Sequence, residues 1–358
     1  MRNEKTENHG DYVDNSDCLA ETHIAKSVSS RIKLGLVIAL IGTILVSFSM
    51  GRFPISPKEL IDTLYNHFFN ASALNPKMDT VLFNIRLPRI LAVILVGAAL
   101  SSSGAAYQGM FRNPLVSPDL LGASAGASFG ACFALICDFN VTMIQISAFL
   151  GGIIAVQCVL LLERAIKYDQ LLGLVLSGIM VGTLCQSGVS LMKFMADADN
   201  KLPELTFWLM GGFSHVTKAD LLATLPCMVI GFSILVFQRW KLNVLSFGEE
   251  EATSLGINVR RTRRLIIAAS TLLVSASVAI SGIIGWVGLV IPHVARSIAG
   301  PNYKSLIPVS MFTGAVYLLI VDNICRLALS LEIPIGIATA ILGVPFFIFV
   351  FKHNMKGW

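Results

Sequence analysis

Ionisable side chains are scarce in the apolar parts of this chain, and the few at their edges are the ones whose chemistry needs a reason. Asp322 and Arg326 stand four residues apart at the end of an apolar run. That spacing puts them on one helical face and lets them pair. A carboxylate so placed raises the question of proton coupling, but a local ion pair that lowers the cost of burial accounts for both residues more simply. His293 follows Pro292 in a short broken run without Cys, Asp or Glu beside it, so it makes no metal site by itself. Seven cysteines are scattered without a C-x-x-C pair and read as small apolar side chains, so no metal ligand set is expected. Neither a P-loop nor an H-E-x-x-H or G-x-S-x-G pattern occurs, which argues against an enzyme. What remains is charge suited to docking: Arg86 and Arg89 flanking Pro88, and the acids Glu249, Glu250 and Glu251 in a polar loop.

The elements that carry these residues are apolar runs. They extend over 32–50, 90–110, 120–137, 141–162, 171–192, 221–237, 265–284, 305–321 and 335–351, with a shorter tenth over 286–298. About 20 apolar residues cross ~30 Å of hydrocarbon, so the nine can span. The tenth, carrying Pro292, His293 and Arg296, has the composition of a re-entrant segment but is counted as a crossing on parity. With 54% hydrophobic and 14% charged residues, the chain is expected to be an all-α integral membrane protein of about ten transmembrane helices. An internal N-terminus puts most of the 27 Lys and Arg on the cytoplasmic side, so both termini are expected there, in the cytoplasmic membrane. Residues 1–31 read as a disordered cytoplasmic tail, 32–358 as the transmembrane domain, and 238–264 as a cytoplasmic loop. Within that loop, Arg260, Arg261, Arg263 and Arg264 are expected to meet lipid headgroups. Glycines at four-residue spacing, such as Gly122, Gly126 and Gly130, allow close helix approach. The run led by Arg89 and that led by Arg264 echo each other, a pattern compatible with an inverted internal repeat.

Six segments in order carry a resemblance: RLPR (86–89), GAALSSSGAAYQGMFRNPLVSPDLLGASAGA (97–127, with Pro114), FWLMGGF (207–213), GEEEATSLGI (248–257), GLVIPHVAR (288–296) and IPIG (333–336). From residue 32 onward the chain resembles the FecCD/cobalamin-type permeases, the transmembrane subunits of type II ABC importers for iron–siderophore complexes, haem or cobalamin. The resemblance implies a subunit that dimerises with an identical or different permease, takes cargo from an extracytoplasmic binding protein, and is driven by two cytoplasmic ATPase subunits. ATP and magnesium would be used by those partners, with no cofactor bound by this chain and no nucleic acid involved. It also implies that Arg86, Arg89 and Arg326 receive glutamates of the binding protein. Glu249, Glu250, Glu251, Ala252, Leu255 and Gly256 match a coupling helix seated on the ATPase, with Glu251 where many importers have Ala. By helix position, Ser124, Gly126, Ser177, Ser187 and Thr339 are expected to line the passage. The alternative is a secondary transporter driven by an ion gradient, for which Asp322 is the nearest available carboxylate.

Overall fold

The computed structural model describes residues 32–354 apart from 33, 52, 54, 70–74, 166–169 and 330. The expected tail over 1–31 lies outside the described residues. In chain order the helices are α1 (Leu34–Ser49), α2 (Pro57–Phe69) and α3 (Pro76–Asp79), then a π-helical turn (Thr80–Arg86) continuing into α4 (Leu87–Phe111). A 3-10 turn (Pro118–Leu121) precedes α5 (Ala123–Ile136), α6 (Val141–Ala165), α7 (Gln170–Met195), α8 (Lys201–Met210) and α9 (Lys218–Phe247). The chain ends with α10 (Glu249–Ser254), α11 (Val259–Ser281), α12 (Val287–Ala299), α13 (Tyr303–Leu327) and α14 (Ile335–Asn354). Among the described residues there is no strand.

Each apolar run is a helix. Six helices have the length and hydropathy of a full crossing: the continuous Pro76–Phe111 helix, α6, α7, α9, α11 and α13. α1, α5, α12 and the described apolar stretch of α14 are shorter. Two of these depart from the expected bounds for a local reason. The run expected to start at residue 120 begins as a helix only at Ala123, because the Pro118–Leu121 turn ends on Gly122 at φ 74°. At 14 residues α5 is about 21 Å long, less than the hydrocarbon thickness. α12 has 13 residues and crosses only part of the way by itself. Gly282, at φ 65°, stops α11, and the backbone stays non-helical as far as Trp286. That extended stretch and α12 together return the chain from the Ser281 end of the bundle to the Tyr303 end.

The π-helical turn has a cause in the sequence. Pro88 has no N–H to donate and its ring crowds the carbonyl four residues back, which a regular α-turn cannot accommodate. The wider turn relieves this, with the Leu87 N–H donating to the Leu82 carbonyl five residues earlier.

α4 and α11, the helices that open the two echoing segments, are the most buried long spans. Side chains small enough for near backbone contact let their neighbours close on them. A Cβ on Gly97 would sit 2.4 Å from the Gly314 carbonyl oxygen, and there Ser101 Oγ donates to the Ser310 carbonyl at 2.7 Å. Two turns further along α4, a Cβ on Gly104 would sit 1.8 Å from the Gly288 carbonyl oxygen. Backbone, rather than a mobile side chain, occupies that space. Gly104→Ala is therefore expected to force α12 off α4 at a cost of about 1–3 kcal/mol, seen as a lower unfolding temperature in detergent. An unchanged midpoint would mean that α12 shifts freely.

α4 defines the two ends of the molecule. Its N-terminal Arg89 meets Asp322 near the C-terminus of α13. Its C-terminal Gly109 packs on Tyr303 at the N-terminus of α13, whose backbone N–H donates to Asn243 Oδ1 near the end of α9. With 25 residues in α4, these ends are about 37 Å apart.

Candidate functional site

At the first end the guanidinium groups are turned inward. Arg86, Arg89 and Arg326 are 4%, 8% and 7% exposed, so none presents a free charge at the surface of this chain. Arg89 is the hub. Its Nη2 donates to Asp322 Oδ1 at 2.7 Å, its Nε lies 3.1 and 3.2 Å from the two Asp322 oxygens, and its Nη1 donates to Glu332 Oε2 at 2.9 Å. Such fork-to-carboxylate geometry fixes direction as well as charge. Asp322 is fully buried and also lies 3.3 Å from Arg326 Nε, so the expected i,i+4 pair is present but shares its carboxylate with Arg89. Arg326 Nη2 continues outward to Ser47 Oγ at 2.8 Å and to Asn323 Oδ1.

Arg86 does something else. Its two terminal nitrogens donate to the carbonyls of Phe48 and Phe53, at and just beyond the end of α1. Carbonyls in the last turn of a helix lack intrahelical partners, so Arg86 supplies the missing donors. Gly51 makes room, since a Cβ there would meet Arg86 Nη2 at 2.7 Å. Together the three arginines tie α1, α4, α13 and the α13–α14 connection into one joint. The three groups expected to receive the binding protein are thus partnered within this chain, because guanidiniums at the ends of packed helices are well satisfied by nearby carboxylates and carbonyls. Glu332 was missed in the sequence, although it is the one acid between Asp322 and the C-terminus.

At the second end, α10 is a single acid-led turn and a half. Gly248 enters it at φ 147° and Gly256 leaves it at φ +76°. Ala252 is fully buried, and the following Ile257 and Val259 are buried as well, which pins one side of the helix to the bundle. Glu249 pairs with Arg263, whose side chain is only 2% exposed. Arg263 thus departs from the lipid-facing reading given to its basic neighbours: it folds under α10 as a fastening. Arg260, Arg261 and Arg264 remain exposed. With Glu249 and Ala252 committed inward, Glu250, Glu251, Thr253, Ser254 and Leu255 face out, Leu255 being 64% exposed. The result is a fastened knob with two exposed acids, Glu250 and Glu251, the latter's carboxylate lying back over Gly248, and one apolar tip. Gly256 has open space around it, so only its left-handed backbone resists substitution; Gly256→Ala is expected to cost about 1 kcal/mol, read as faster hydrogen exchange over 249–257 with the spans unaffected.

The five residues expected to line a passage differ in burial and in partners. Ser177 and Thr339 are fully buried, Thr339 Oγ1 donating to its own helix at Gly336, 3.1 Å away. Ser124 bonds Asp119. Gly126 is a packing residue: a Cβ on it would meet Ala155 Cβ at 2.3 Å and the Gly151 carbonyl at 2.5 Å, which is why α5 and α6 lie so close. Only Ser187 is exposed, with Gln186 and Ser190, on α7. His293 Nε2 lies 2.9 Å from the Pro114 carbonyl and its ring packs edge-on against Phe347, which joins the Pro114 and Pro292 breaks. Among the described residues no three His, Cys, Asp or Glu gather as a metal site.

The FecCD transport family matches residues 27–353. The chain belongs to that family. It is accordingly a multi-pass membrane permease subunit of an ABC importer and not an enzyme. Among its relatives, the molybdate import system permease protein MolB of Haemophilus influenzae is 39% identical, with 91% of this chain and 97% of that protein covered. The hemin transport system permease protein HmuU of Yersinia pestis is 34% identical over 92% of this chain and 98% of that protein. A metal-chelate type ABC transporter solved in an inward-facing conformation is 38% identical and superposes with a TM-score of 0.82, over 90% of this chain and 99% of that one.

Proposed function

We propose that this FecCD-family chain passes an iron–chelate complex, of siderophore or haem type, across the cytoplasmic membrane by alternating access, paired with a second permease copy. The α10 end is then cytoplasmic, as are both termini, and two ATPase subunits seat on the knob formed by Glu250, Glu251 and Leu255. The observation that carries this reading is that knob: a short helix fastened from beneath by Arg263 and Ala252, with its charge and its apolar tip left outward. A rigid lever is what transmits a partner's motion to the spans. An extracytoplasmic binding protein delivers cargo at the opposite end, where Arg86, Arg89 and Arg326 hold the helix ends in register for it and Glu332, part-exposed, is the nearest outward charge. Molybdate is the second reading for cargo, supported by the 39% identity to a molybdate permease.

The ion-gradient alternative rested on Asp322, and that carboxylate is held between Arg89 and Arg326. The test is uptake of labelled iron by proteoliposomes containing the permease, its ATPase and its loaded binding protein. Uptake that requires ATP on the α10 side supports the proposal; uptake driven by a proton or sodium gradient without ATP overturns it, and ATP-driven molybdate uptake with no iron transfers the cargo to the second reading.

A further inference from the structure

α2 has three faces. Leu60 and Thr63 are buried, His67 stacks on Phe83 at 3.8 Å between ring centroids, and His67 Nδ1 lies 2.5 Å from Asp79. This inner side packs on Ile55 and Leu82 and fixes how the helix is rolled. A reciprocal cap, Ser56 N–H to Glu59 and Glu59 N–H to Ser56 Oγ, fixes where it begins and holds the Glu59 carboxyl below its usual range. Polar Glu59, Asp62 and Asn66 share a second side. The third side is an uncovered apolar stripe at i, i+3, i+4, i+7 and i+8: Ile61, Leu64, Tyr65, Phe68 and Phe69, exposed by 65%, 39%, 60%, 69% and 78%.

Depth decides what covers it. Pro76–Phe111 is one continuous helix of 36 residues, about 54 Å, whereas the hydrocarbon takes about 30 Å. The apolar, nearly uncharged part of that helix runs from Ile90 to its far end, so Thr80–Arg86, on which α2 packs, lies at headgroup level. α2 also begins eight residues after α1 ends (57 − 49), and the outward residues of α1, Leu34, Ile38, Ile41 and Leu45, form the apolar belt that Met50 and Phe53 extend toward α2. A pinned helix at that depth, with aromatic side chains in its apolar stripe and a separate polar flank, has the amphipathic make-up of an interfacial helix.

We propose that α2 lies on the bilayer, its Ile61–Phe69 stripe embedded at the boundary between headgroups and acyl chains, and that it sets the height of the Arg86–Arg89 joint relative to the membrane. The test uses the full chain reconstituted in lipid nanodiscs, with tryptophan placed in the stripe as Phe68→Trp and, separately, Ile61→Trp, wild-type emission being subtracted. The expected added emission is blue-shifted, quenched several-fold more by phospholipid brominated near the headgroup than by aqueous iodide, and unchanged when the binding protein is added. Strong iodide quenching without bromolipid quenching overturns the proposal in favour of a water-facing stripe. Emission shielded from both quenchers, or shielded only once binding protein is present, overturns it in favour of a protein partner. Both substitutions are at exposed sites, and the two positions report independently.

Discussion

Alanine in place of Arg89 is expected to destabilise the permease by about 3–5 kcal/mol, the range for removing one member of a buried charge cluster. Asp322 is fully buried, and without Arg89 it keeps only the 3.3 Å approach of Arg326 Nε, while Glu332 loses its partner altogether. The loss should appear as poor accumulation of folded protein and a lower unfolding temperature. Arg89→Lys retains the charge without the fork and should recover part of it. The double variant Arg89→Ala with Asp322→Ala should cost less than the sum of the two single changes, because it removes the stranded carboxylate with its partner. If Arg89→Ala instead folds normally and loses only the response to the binding protein, the joint is a docking surface in spite of its burial.

The second large effect is expected at the other end. Glu250→Lys combined with Glu251→Lys reverses two exposed charges on α10 without touching Ala252 or the Glu249–Arg263 pair that fasten it. The spans should fold unchanged, and co-purification of the ATPase should be lost, because a rim of like charge both slows encounter and opposes the seated complex. Retained co-purification would show that the partner does not use this face. Arg263→Ala offers a contrast: it releases the half-buried Glu249 carboxylate to water but unpins the lever, so ATPase binding should survive while its coupling to uptake weakens.

Much of this architecture is legible in the sequence because bilayer physics is legible there. Long apolar runs bounded by charge mark the spans, and all ten runs are helices. The i,i+4 spacing of Asp322 and Arg326 announces a pair for the same reason that helices have a period. What could not be read is long-range. Arg89 meets Asp322 and Glu332 across more than two hundred residues, and nothing local in RLPR distinguishes an arginine that points outward from one that turns in. Arg263 sits in a basic cluster whose composition suggests lipid, and only the fold shows that it lies under α10. The contact partners of Gly126 on α6, Gly151 and Ala155, and the full burial of Ser177 are likewise visible only in the fold. α2 went unforeseen because a 13-residue helix, apolar on one stripe alone, leaves no long apolar run. The π-helical turn was likewise hidden, although Pro88 is its cause.

The most direct test of the central claim is ATP turnover by the reconstituted permease with its ATPase and binding protein, measured with the binding protein empty and loaded in turn with ferric siderophore, haem, cobalamin or molybdate. The expected result is stimulation by a binding protein carrying an iron chelate, abolished by the Glu250→Lys, Glu251→Lys variant. Turnover that ignores the loaded binding protein, together with cargo uptake that follows an ion gradient, would contradict it.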